Sequence, residues 1–184
     1  MNSQTKTSDA PVRLFLLAGL AGGLAEVGWV GFYGLISSLS AVEVARQITA
    51  SVIPAAAAFP LAPAFGIFIH FLLSALLGVA FWTIAGALIA WRPRAAGIMV
   101  AAVVFLTAVW AVNFLVVLPV LNPDFVALMP LPITFLSKAL FGVVMGWVLQ
   151  HGCLRTTRNT QAAAACWLSQ RVQALGLSRS RSSG

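Results

Sequence analysis

The chain has 184 residues, of which 60% are hydrophobic and only 8% charged, with a formal net charge of +7. A soluble domain carries about 25% charged residues, and a mean hydropathy of +0.97 excludes the soluble classes. The positive charge does not point to nucleic acid: no binding fold or basic groove accompanies it, and the basic residues flank apolar runs instead.

Four apolar runs are long enough to cross ~30 Å of hydrocarbon, which takes ~20 helical residues. They extend from about Val12 to Ser38, Ala64 to Trp91, Gly97 to Leu118 and Ile133 to Gln150. The expected fold is therefore an all-α membrane protein, a four-transmembrane-helix bundle with two short interfacial helices on its outer side. Residues 1–151 make the transmembrane domain and 152–184 a basic tail. All but two of the eleven Lys and Arg residues fall on one side: Lys6, Arg13, Arg92, Arg94, Arg155, Arg158, Arg171, Arg179 and Arg181. By the positive-inside rule that side is cytoplasmic, giving an N-in, C-in topology.

The first run carries Lys6 and Arg13 ahead of it and contains Gly23-Leu24-Ala25, which together imitate a cleavable signal peptide. The apolar run continues to Ile36 without a break, so an uncleaved span is the better reading. Glu26 lies near its middle. Insertion scales put an acid at a helix centre at roughly +2.5 to +3.5 kcal/mol, so such a residue is expected to face protein and to have a partner. Gly19-x-x-x-Gly23 allows close helix approach, and Ala18, Gly22, Glu26 and Val30 share one face at four-residue spacing. Trp29 and Tyr33 flank that row.

Ser40-Ala-Val-Glu43 has the capping-box pattern. It predicts a short amphipathic helix from Ala41 to just before Pro54, with Val44, Ile48 and Val52 on its apolar side, lying on the membrane surface. The second run repeats a small-or-polar row in Gly66, His70, Ser74 and Gly78. A tight turn at Arg92-Pro93-Arg94 leads to the third run, which contributes Asn113 with Trp110 one turn away.

Asn122, Pro123 and Asp124 predict another short outer helix, with Asn122 as N-cap and Pro123 at its first position. Pro130 ends it. The fourth run carries Thr134, Lys138, Gly142, Gly146 and Gln150 at four-residue spacing. In the tail, Gln161 to Leu175 is a weakly amphipathic helix candidate, and the Ser/Arg-rich end reads as disordered. Its arginines favour anionic lipid.

At ~1.5 Å per residue, Glu26 is ~20 Å from the cytoplasmic end of its span. His70, Asn113 and Lys138 lie roughly 8–12 Å inside the outer ends of theirs. The candidate buried polar cluster is therefore Glu26, His70, Asn113 and Lys138, with Glu26 and Lys138 forming an ion pair that neutralises both charges.

No cofactor is expected. His70 and His151 belong to opposite faces of the membrane, so one chain cannot supply bis-histidine haem ligation. His151-Gly-Cys153 offers two metal ligands where a site needs more. The two cysteines, Cys153 and Cys166, both fall in the tail and form no Cys-x-x-Cys pair. No Ser-His-Asp set, metal-ligand cluster or phosphate loop marks an enzyme. Two functional readings remain. One is a structural or accessory protein of a membrane assembly, acting through helix contacts or as a homo-oligomer. The other is a small oligomeric proton- or cation-linked transporter or channel, although no inverted repeat is visible. Four spans with an acid in the first and Ser-Lys in the last are common among bacterial inner-membrane proteins, which is the expected location.

Overall fold

The computed structural model describes residues 9–88 and 95–152, with side chains from 12–84 and 97–152. Every regular element in these residues is helical. In chain order they are α1 (Asp9–Ile36), α2 (Ala41–Val52), a 3₁₀ turn (Pro54–Ala58), α3 (Ala62–Leu88) and α4 (Ala95–Val112). A π turn (Asn113–Val117), α5 (Leu118–Leu121) and α6 (Pro123–Leu128) follow. The last helix, α7, is Leu131–Gly152.

Four segments are long and apolar enough to span a bilayer: Val12–Ile36, Ala62–Ile84, Gly97–Leu121 and Leu131–Gly152. They are compatible with an integral membrane protein. The turn at Arg92-Pro93-Arg94 and the tail helix candidate at 161–175 lie outside the described residues.

Two of the four spans begin earlier than expected because proline is tolerated in a helix's first turn, where its missing N–H is an orphan anyway. Pro63 sits inside the start of α3 and Pro132 inside the start of α7. The Ile133 and Thr134 amides already donate to the Pro130 carbonyl. The third span runs on past Leu118 for a different reason. A proline at 119 would clash with the carbonyl four residues back, that of Leu115. Leu115 lies within the π turn, where the Leu118 amide donates to the Asn113 carbonyl. This wider turn absorbs the proline, so the helix bends on instead of stopping.

Within lipid, apolar burial gives helices no net drive to associate; close packing and interhelical hydrogen bonds do. The glycines supply the packing. A Cβ at Gly19 would collide with the Ser74 carbonyl and meet the Gly78 backbone at 3.1 Å, so α1 and α3 touch backbone to backbone. A Cβ at Gly142 or Gly146 would sit 2.7 Å from the Cα of Val103 or Met99, which brings α7 equally close to α4. Thr49 Oγ1 donates to the Ala62 carbonyl (2.6 Å) and fastens α2 to α3, where the Ala45 carbonyl lies against Gly66.

Two apolar clusters result. One gathers Ala18, Phe81, Ala102, Leu106, Phe141, Met145 and Leu149. The other gathers Val44, Phe114, Leu118, Phe125 and Met129 beneath α2 and α6. Along α1 and α7, the polar layer built on Glu26 separates them.

The short helices form where the caps required. Ser40 Oγ accepts from the Glu43 amide (3.3 Å). The reciprocal half of the capping box is replaced: the Glu43 carboxylate pairs with Arg46 (3.3 Å) and accepts from Gln47 (2.9 Å). Asn122 caps α6 by accepting from the Phe125 amide (3.1 Å). Its Nδ2 lies 3.0–3.1 Å from the Gln47 carbonyl, Gln47 Oε1 and Ser51 Oγ, tying α6 to α2. On α2, Val44 is buried and Ile48 partly so, but Val52 is 56% exposed, and Ala45 and Thr49 complete the packed face.

Candidate functional site

The row of Ala18, Gly22 and Glu26 turns α1 toward α7. At Gly22 a Cβ would strike the Phe141 ring, which occupies that space instead. The neighbouring row, Gly19 and Gly23, faces Ser74, His70 and Gly78 of α3. With two narrow faces side by side, α1 packs between both partners, and Glu26 is carried into the interior at 9% exposure.

There Lys138 Nζ donates to Glu26 Oε2 at 2.7 Å. The two side chains are 12% and 11% exposed, so the charges are largely withdrawn from the surroundings and compensate each other. Ser137 Oγ lies 3.2 Å from Glu26 Oε1 and 2.8 Å from the Thr134 carbonyl, so its single proton is shared between the two acceptors. The Lys138 ammonium also stands 5.4 Å from the centre of the Phe141 ring, one turn further on, within cation–π range.

The network extends outward along α7. Thr134 Oγ1 donates to the Leu131 carbonyl (2.9 Å) and accepts from Trp110 Nε1 of α4 (3.0 Å). Trp29 Nε1, one turn beyond Glu26, lies 3.3 Å from the Ile133 carbonyl. Among the described residues, every buried side-chain nitrogen and oxygen has a partner.

Of the four residues singled out from sequence, then, the structure joins two directly. His70 does not bond Glu26. Its Nε2 lies 3.1 Å from the Gly23 carbonyl. A carbonyl can only accept, so in this arrangement Nε2 carries a proton and donates it. Asn113 is further removed still. It opens the π turn, and its carboxamide makes no hydrogen bond to another described residue.

His70 and Asn113 are linked to the pair by space rather than by contact. A cavity of about 650 Å³ is lined by Glu26, His70, Ser74, Asn113 and Lys138 together with apolar side chains, chiefly of α3 and α4. A smaller one, about 140 Å³, touches Glu26, His70, Thr134 and Ser137 and lies under the apolar faces of α2 and α6. Glu26 and His70 line both. The described residues contain no group of three or more His, Cys, Asp or Glu placed to hold a metal ion.

Sequence reasoning passed over Ser137 as a participant and gave Asn122 only its capping role. Ser137 had a legible signal: Thr134, Ser137 and Lys138 are spaced i, i+3, i+4 and so share a helix face. Asn122 had none, because its contacts with Gln47 and Ser51 bridge more than seventy residues.

No protein-family model, curated protein or solved structure matches this chain.

Proposed function

We propose that this chain is a structural or accessory component of a bacterial inner-membrane assembly, in which the Glu26–Lys138 pair fixes the register of α1 against α7. The observation that carries this reading is the saturation of the Glu26 carboxylate. Both carboxylate oxygens are occupied, one by Lys138 and the other by Ser137. A carboxylate whose partners are all internal needs no transported ion to explain its depth, and polar contacts of this kind hold membrane helices together.

The outer face of α1 supports a further partner. Gly28 has nothing within 4 Å of where a Cβ would stand, and Leu24 and Leu35 on the same side are 63% and 85% exposed. In this arrangement both termini are cytoplasmic, α2 and α6 lie at the outer interface, and the basic tail rests on anionic lipid. Purification from native membrane in lipid-preserving particles, followed by native mass spectrometry, tests the reading. A stoichiometric protein partner or a defined homo-oligomer is expected. A monomer without partners contradicts it.

A second reading, proton- or cation-linked transport, is favoured by one observation: Glu26 lines both cavities, beside Ser137 in the smaller and Lys138 in the larger. Proteoliposomes would then show a cation flux that Glu26→Gln abolishes while the fold survives. Absence of flux in the wild-type chain removes this reading.

A further inference from the structure

The larger cavity holds more than the ion pair explains. Its volume of about 650 Å³ falls in the range of small-molecule sites, which are mostly apolar with a few convergent polar groups. Leu73, Leu77, Phe105, Val109 and Val112 form apolar walls, and Asn113 and Lys138 contribute polar groups to the lining. Leu73 and Val112 are also 48% and 58% exposed on membrane-spanning segments. The walls therefore continue onto the surface of the bundle along its apolar spans, where a molecule dissolved in hydrocarbon reaches them.

Two features of this polar lining lack an internal explanation. The first is the Asn113 carboxamide, which makes no hydrogen bond within the described residues; in hydrocarbon an unpaired amide is costly. The second is the surplus of donors. Lys138 has three N–H groups, of which Glu26 takes one. Asn113 also opens the π turn, a distortion that recurs at functional sites. Against these donors the cavity offers no net charge, since Glu26 and Lys138 neutralise each other. A charged headgroup gains nothing there, whereas an uncharged head bearing carbonyl acceptors satisfies both donors.

We infer that the cavity between α3 and α4 binds an isoprenoid quinone, its ring carbonyls accepting from Asn113 and Lys138 and its tail lying along Leu73, Leu77 and Val109 toward the bilayer. The ring is uncharged, carries the acceptors the site lacks, and is dissolved in the membrane from which the site is entered. This holds with or without a protein partner.

The test is a titration of the full-length protein in lipid nanodiscs with decylubiquinone, read by quenching of tryptophan fluorescence. Saturable quenching is expected for the wild-type chain. Asn113→Leu removes a neutral hydrogen bond and should weaken the apparent affinity roughly tenfold. Ala108→Phe, on the cavity wall, should abolish saturation. If Asn113→Leu does not fold, the Ala108→Phe titration decides alone. Non-saturable quenching in the wild type, or wild-type behaviour of the folded variants, overturns the proposal. So does displacement of the quinone by phosphatidylglycerol at equal concentration, which would assign the groove to acyl chains.

Discussion

Replacing Glu26 by Gln leaves the side-chain shape almost unchanged and removes only the charge. The Lys138 ammonium, 12% exposed, is then left among apolar neighbours without its counter-ion. Removing one member of a buried pair typically costs about 3–5 kcal/mol. Here the lower end, about 3 kcal/mol, is expected, because the Gln carbonyl still accepts a hydrogen bond and the Phe141 ring stays beneath the ammonium. Lys138→Met should cost a similar amount by stranding the carboxylate, although Ser137 continues to donate to it. The double variant removes both charges, and replacing a buried pair by groups of similar volume is often close to neutral. Its cost should be about 1 kcal/mol or less, a coupling of several kcal/mol. Reversible unfolding in mixed micelles, monitored by circular dichroism, measures all four species of this cycle. If the two single losses simply add, the pair contributes no specific stability and the register argument fails.

Other parts of the fold are open to the same kind of check. Gly19→Val places a side chain against the Ser74 carbonyl and should destabilise the bundle by about 1–3 kcal/mol or more, whereas Gly28→Val, with open space around it, should leave the monomer's unfolding midpoint unchanged. Asn122→Ala loses the α6 cap and the bridge to α2, at about 2 kcal/mol; Asn122→Asp keeps the cap and should recover about half in the same unfolding assay. Orientation can be read from Cys153 and Cys166, the only cysteines in the chain: a membrane-impermeant maleimide should label them in inverted vesicles and not in right-side-out spheroplasts. Labelling in spheroplasts alone would reverse the topology.

The spans were legible because hydrocarbon imposes one rule on every residue in it. The caps of α2 and α6 were legible because Ser40 and Asn122 act on amides three residues away. The Glu26–Lys138 contact could be anticipated from depth and charge, since a lone charge in each of two helices has few alternatives. What stayed hidden depends on rotation and register between helices. Depth placed His70 and Asn113 near Glu26, but the facing of α3 sends the imidazole to the Gly23 carbonyl. The π turn that carries Asn113 arises from accommodating Pro119, a conflict that hydropathy does not register. Glycine rows revealed that helices touch, without saying that Gly19 meets α3 while Gly22 meets α7.

The most direct measurement is the distance between the Glu26 carboxyl and the Lys138 ammonium in a bilayer. Solid-state NMR on protein carrying ¹³C-glutamate and ¹⁵N-lysine isolates that dipolar coupling, because Lys138 is the sole lysine in the described membrane-spanning residues. Strong dephasing, as a 2.7 Å Nζ–Oε2 contact requires, is expected, and it should vanish in Glu26→Gln. A Glu26 carboxyl that shows no coupling to nitrogen would contradict the account.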